Sequence, residues 1–300
     1  MSDVAVVGAG PAGIAASIYL KRAGIDVALF EKKEVGGLLL NAHLVENYPG
    51  FPMGIKGDDL CNLMKDQLSR WNIKPIMEEV KQISIENDNF ILNTSDGKSK
   101  FKIVILATGT KPRELGIPGE RELVGKLVFY EIKDLLPKLK PRNICIVIGG
   151  GDAAFDYSLN LADNGATVEL YFRSKRPRCL SLLEKRVKSC ATINIHPFST
   201  PIDMAEKEGK TEIRFRSTGK NANPMPDNKV ICKSKADYIL IACGREPNKE
   251  ILSKDIEKSN MPSLYLAGDV RAGNFRQVGI AVGDGIRAAM SVETCLSLRS

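Results

Sequence analysis

Two regimes of apolar and polar positions alternate along the chain. Short, nearly unbroken apolar runs at residues 3–7, 26–30, 144–148 and 167–172 have the length of buried strands. Helical spacing fills residues 11–23 and 153–164, so strand, glycine turn, helix and strand occur twice in the same order. Helical spacing returns at 58–71, and alternating stretches at 80–85, 90–93 and 101–106 predict a β-meander. The proline-bearing connector KPRELGIPGE, residues 111–120, marks a domain boundary. KIVILATGTKP at 102–112 and YILIACGREPN at 238–248 share one shape, an apolar strand ending in a small-x-Gly turn and a proline. LYLAGDV at 264–270 and a helix over 277–295 close the chain. This internal duplication predicts an α/β fold of two doubly wound, Rossmann-like dinucleotide-binding domains, the second inserted in the first. The expected boundaries are 1–112 with 246–300 for the first and 113–245 for the second.

Composition narrows the chemistry. Hydrophobic residues make up 43% and charged residues 26% of 300 positions, ordinary for a globular protein. No apolar run approaches the ~18 residues of a membrane span, and the first apolar segment begins too early for a signal peptide. A cytoplasmic protein is expected, with neither membrane nor nucleic acid as partner. Seven scattered cysteines include no C-x-x-C, so neither a zinc ribbon nor a local redox dithiol is signalled. Two histidines, His43 and His196, exclude a histidine-rich metal site, and no metal is expected. The net charge of +7 is unevenly spread. Residues 113–245 hold 23 Lys and Arg against 16 Asp and Glu, while the remainder balances at 20 against 20. The middle of the chain is therefore a basic surface, either merely solvated or facing an acidic partner.

The two glycine turns carry the chemistry. In Gly8-Ala-Gly-Pro-Ala-Gly13, Gly8 permits the tight turn, Gly10 lets the backbone approach a pyrophosphate, and Gly13 lets helix and strand pack closely. The helix that opens at Pro11 and Ala12 offers free N–H groups to phosphates. Glu31 lies 18 residues beyond Gly13, at the end of the second strand, where an acid accepts from ribose hydroxyls. The second turn, Gly149-Gly-Gly-Asp-Ala-Ala154, keeps the pattern with Gly151, Asp152 and Ala153 opening its helix. Its second strand ends without an acid, in Arg173, Ser174, Lys175, Arg176 and Arg178. A 2′-phosphate suits that charge, so the second site is expected to take NADPH, with NADH as the alternative, and the acid-ended first site FAD. Both in one chain imply hydride transfer from nicotinamide to flavin.

Further residues resemble a known family. Gly36-Gly37-Leu38, the run VENYPGFP at 45–52, ATG at 107–109, AGD at 267–269 and RQ at 276–277 resemble the thioredoxin-reductase-like pyridine nucleotide flavoproteins, in the same order over nearly the whole chain. The resemblance implies that Asn47, Asp269 and Gln277 contact FAD. It extends the FAD set to Gly37, Leu38, Val80, Thr108, Gly109, Gly268, Arg276 and Val278, and the coenzyme set to Asp156, Ser174 and Gly244. It also implies a homodimer. Thioredoxin reductases carry a C-x-x-C shortly before the second glycine turn, whereas residues 124–143 here contain no cysteine. That stretch and GGGDAAFD resemble instead the ferredoxin–NADP reductases of the same fold. Leu38 departs from their GGQ, and their flavin-covering C-terminal extension is not expected here. Phe129 or Tyr130 is a candidate to shield the ring, with core packing as the alternative.

The leading expectation is therefore an FAD-dependent NADPH oxidoreductase, ferredoxin–NADP reductase-like, that passes electrons to ferredoxin, flavodoxin or another acidic one-electron carrier. No acid–base residue is obligatory for that chemistry. The alternatives are a disulfide reductase using non-adjacent cysteines, such as Cys179 with Cys190, and a flavin-bearing redox sensor or subunit.

Overall fold

Val4–Val7 is buried at every position, as a strand must be when both faces are covered and both edges are paired. It pairs in parallel with Val27–Phe30 on one side and Ile103–Leu106 on the other, and Leu264–Leu266 joins beyond the latter. This is the first of two compact units into which the chain divides: Met1–Leu40, Leu44–Lys111 and Glu246–Ser300. The second comprises Asn41–His43 and Pro112–Arg245. The computed structural model describes residues 2–217, 230–258 and 262–298.

In the first unit the helices Pro11–Arg22 and Val278–Ser297 pack on each other. An antiparallel meander, Gln82–Glu86, Asn89–Asn93 and Lys98–Phe101, turns at Asn87 and Asp88, whose φ values of 47° and 59° make a type I′ hairpin. Ile83, Phe90 and Leu92 from it join Phe30, Val104 and Leu106 in one core. The stretch expected as one strand at 101–106 is two. Phe101 ends the meander, and the N–H groups of Lys102 and Ile103 both donate to the Asp3 carbonyl, at 3.0 and 3.1 Å. That capture turns the chain into the parallel sheet.

The second unit centres on Ile144–Ile148, in a parallel sheet ordered Ile193–His196, Thr167–Tyr171, Ile144–Ile148, Tyr238–Ile241, Val128–Phe129. The helix Asp152–Asp163 buries Ala154, Phe155, Tyr157, Ser158 and Leu161, a stripe at helical spacing. Among the elements without an expectation are the helix Ser181–Ser189 and an antiparallel sheet of Ser199–Lys207, Lys210–Ser217 and Val230–Ala236. Only one side of that sheet is apolar, with Met204, Ile213, Phe215 and Ala236 buried.

The duplication extends to single hydrogen bonds. Gly8 N donates to Phe30 O at 2.8 Å, and Gly149 N to Tyr171 O at 2.9 Å. Ala107 N donates to Val7 O, and Ala242 N to Ile148 O, both at 2.8 Å. Each unit is thus the same α/β winding with the same glycine turn at the carboxyl ends of its strands. Among the described residues no helix is long and apolar enough to cross a membrane.

Candidate functional site

The first glycine turn is shaped by what its glycines lack. Gly8 has a φ of 105°, and a β-carbon on it would overlap the Ala107 carbonyl oxygen. One on Gly13 would overlap the carbonyl of Gly8. Gly10 differs: nothing lies within 4 Å of where its β-carbon would stand. The space over Gly10 is therefore free for a ligand, and the helix Pro11–Arg22 begins beside it with its unpaired N–H groups. Glu31 is fixed in place by its own backbone surroundings. One oxygen accepts from Ala9 N at 2.8 Å and the other from Lys33 N at 3.0 Å. A carboxylate has about four acceptor positions, so capacity remains for a ribose.

Other members of the first candidate set converge on this turn. Gly36 N donates to Ala9 O at 2.8 Å, which brings Gly37 to Gly10 and seats Leu38 in the short helix Gly37–Asn41. Gly268, before Asp269, packs against Ala12, where a β-carbon would lie 2.7 Å from that of Ala12. Gly285 of the closing helix approaches the Ala12 carbonyl so closely that its β-carbon would overlap the oxygen. Asn47 Nδ2 donates to Gln277 Oε1 at 2.9 Å, joining two candidates 230 positions apart, and Val278 opens the closing helix just beyond. Arg276 is half-buried in the preceding loop. Thr108 Oγ1 donates to Asn248 O at 2.6 Å, and Gly109 O accepts from Asn248 N at 3.0 Å. Val80 stands apart: its side chain is buried in the core with Phe30, leaving its backbone alone for a ligand.

The second turn repeats the first with opposite charge. A β-carbon on Gly149 would overlap the Ala242 carbonyl oxygen, while the position over Gly151 is open, as over Gly10. Ala153 opens the helix after Asp152 and is exposed, and Gly244, also exposed, follows the ACG turn. Where Gly36 reaches Ala9 in the first unit, Arg178 N reaches Gly150 O at 2.6 Å in the second. Arg173, Lys175, Arg176 and Arg178 are all exposed, and no ion pair to a carboxylate is seen for them among the described residues. Ser174 Oγ donates to Arg176 O at 2.7 Å. Asp156 lies a turn into the helix, and its carboxylate accepts from His43 N at 2.9 Å. That bond commits one oxygen to the protein. A dinucleotide fits both turns: an open glycine, a helix start, and an acid in one case or free cations in the other.

The aromatic candidates for covering a flavin are used elsewhere. Phe129 is buried and meets Tyr238 edge-on with centroids 6.0 Å apart. Tyr130 donates to Glu120 at 2.6 Å, and burial followed by that bond pushes its phenol up. Glu120, which no sequence pattern singled out, is buried and also accepts from Leu115 N at 2.9 Å and Gly116 N at 2.7 Å, pinning the connector. None of the seven cysteines is in a disulfide. Cys179 and Cys190 stand at opposite ends of the nine-residue helix Ser181–Ser189. At 1.5 Å per residue that helix is ~13 Å long, beyond the ~7 Å limit between bridged α-carbons. Burial pushes the Cys145 thiol up to about 12.

Comparison with known proteins agrees with this geometry. Residues 2–285 match the family model described as pyridine nucleotide-disulphide oxidoreductase. The thioredoxin reductase of Mycoplasma genitalium is 31% identical over 97% of this chain and 94% of its own length. The NADPH-dependent thioredoxin reductase 3 of Arabidopsis thaliana is 29% identical over 99% of this chain, which spans only 59% of that relative. Among solved structures, the thioredoxin reductase of Lactococcus lactis superposes with a TM-score of 0.87 at 27% identity, covering 99% of this chain and 100% of its own.

Proposed function

The chain belongs to the pyridine nucleotide-disulphide oxidoreductase family, a family of flavin-dependent NAD(P)H oxidoreductases, and from that premise we propose that it passes electrons from NADPH through FAD to an acidic one-electron carrier of the ferredoxin or flavodoxin kind. FAD, when bound, supplies the exchange between a two-electron donor and a one-electron acceptor. The protein's part is binding and placement. The open backbone at Gly10 and the helix start at Pro11 receive a pyrophosphate, Glu31 holds a ribose, and the Asn47–Gln277 pair presents one fixed amide surface. At the second turn Gly151 and the helix starting at Asp152 receive the coenzyme's pyrophosphate, and Arg173 and Arg178 meet its 2′-phosphate. The carrier is drawn by the basic excess of residues 113–245. The family resemblance supports a homodimer.

The observation that carries the choice of acceptor is the absence of a dithiol. No C-x-x-C occurs in the sequence, and the helix between Cys179 and Cys190 keeps that pair apart. The relatives' names favour a second reading, reduction of a thioredoxin-type disulfide, which needs two sulfurs in reach of each other. Anaerobic NADPH reduction followed by either ferredoxin or thioredoxin separates the two. Turnover with ferredoxin alone supports the proposal; thiol release from thioredoxin alone ends it.

A further inference from the structure

The basic loop that follows Thr167–Tyr171 has no regular structure, yet it is held to the second glycine turn at two points. One is the backbone bond from Arg178 N to Gly150 O, 2.6 Å, which any residue pair makes. The other involves a side chain: Leu180 N donates to Asp152 Oδ1 at 2.8 Å. Asp152 is the first residue of its helix, and Leu180 immediately precedes the helix Ser181–Ser189. A carboxylate is an odd choice beside an anion-binding turn. It repels a phosphate, and the partial charge of the helix start that it sits on is what a phosphate uses. Its acceptor role toward Leu180 gives it a reason to be there.

We infer that Asp152 is a positioning residue for coenzyme choice: through Leu180 it fixes the segment carrying Arg178, so that discrimination between NADPH and NADH passes through the Asp152–Leu180 hydrogen bond. This rests on reading the second turn as the coenzyme site. The bond acts on the segment two residues beyond Arg178, so it bears on the part of the coenzyme that distinguishes the phosphorylated form. Asparagine at 152 keeps an acceptor oxygen without the charge. It therefore preserves selectivity, while loss of the charge beside the pyrophosphate changes the affinity for both coenzymes alike.

The test deletes each end of the bond separately. Asp152→Ala removes the acceptor. Leu180→Pro removes the donor with little backbone change, because Leu180 has a φ of −58°, close to that of proline. Calorimetric titration with NADP⁺, NAD⁺ and adenosine 2′-monophosphate reads affinity without turnover, and amide exchange at Leu180 reads the tether itself. Each single variant should shift the NADP⁺-to-NAD⁺ affinity ratio toward NAD⁺ by about tenfold, the loss of one bond to a charged acceptor. The double variant should add little, since both changes break one interaction. Asp152→Asn should restore the ratio, and Leu180 exchange should quicken in Asp152→Ala. Equal weakening of both coenzymes, or an unchanged ratio in Leu180→Pro, overturns the inference. Arg173→Ala with Arg178→Ala serves as the reference. If that pair also leaves the ratio unchanged, the assignment of the basic loop falls with it; if the pair shifts the ratio and Asp152→Ala does not, only the tether is wrong.

Discussion

Gly8 and Ala107 touch backbone to backbone: a β-carbon on the glycine would lie 2.8 Å from the alanine carbonyl carbon and overlap its oxygen. The same closeness recurs between Gly149 and Ala242, at 2.9 Å. Gly8→Ala and Gly149→Ala should each destabilise by at least about 1–3 kcal/mol, from overpacking on a backbone that cannot move aside. Gly10→Ala meets no atom within 4 Å and should melt like the wild-type apoprotein while losing FAD. Melting curves paired with flavin absorbance after gel filtration check this. A Gly10→Ala protein that keeps its flavin would remove the first turn from the cofactor site.

Glu31→Ala should weaken FAD retention by ~10–100-fold, the worth of one or two bonds to a charged group. Part of the loss comes from the freed Ala9 and Lys33 N–H groups, so Glu31→Gln should fall between the two. Equilibrium dialysis of released flavin measures it, and identical retention in all three proteins contradicts the assignment.

Arg173→Ala with Arg178→Ala should raise the KM for NADPH at least ~10-fold more than that for NADH, because charged contacts to a 2′-phosphate exist only with the phosphorylated coenzyme. Steady-state kinetics with both coenzymes decide it. Equal losses place the loop elsewhere.

Dithionite titration under anaerobic conditions should end at one electron pair per flavin. Single cysteine-to-serine changes should leave NADPH-driven reduction of a one-electron acceptor nearly intact. Cys145→Ser is the exception in stability, since a fully buried hydroxyl without a partner costs about 1–3 kcal/mol. A second electron pair per flavin, abolished by one cysteine pair, would return the chain to the disulfide reductases.

Reduction of an acidic carrier should slow as salt rises, and Lys138→Glu, Lys140→Glu or Arg142→Glu should slow it at low salt. All three side chains are exposed on the second unit. Attraction over such distances fades beyond a Debye length of ~8 Å at physiological salt. Rates indifferent to ionic strength would dismiss steering.

The parts that sequence disclosed are those where the backbone leaves a mark in residue type. Gly8, Gly13 and Gly149 are glycine because a carbonyl occupies the place of a side chain, and that signal needs no tertiary knowledge. The split at Lys102 was illegible because Asp3 O decides it, and a carbonyl is the same for every residue. The antiparallel sheet was hidden by its charged side: Asp203, Lys207, Lys210, Glu212, Arg214 and Lys233 interrupt the apolar positions, and the register shifts between Pro201 and Asp203. Glu120 was invisible for another reason. Its partners, Leu115 N, Gly116 N and Tyr130, are brought together only by the folded connector.

The contact between Gly285 and Ala12 has a consequence for synthesis on the ribosome. The first helix is made early, but the closing helix that packs on it begins 256 residues after Arg22. At ~5–20 residues per second that interval is roughly 10–50 s. The inserted unit, all of whose strands precede Arg245, is complete while the first still waits for its last strand and helix. The unit that opens this sequence is thus the one that matures last, and a chain stalled before residue 264 presents a finished second unit and an open, apolar first one. Nascent-chain proteolysis should show the middle of the polypeptide becoming resistant before its beginning.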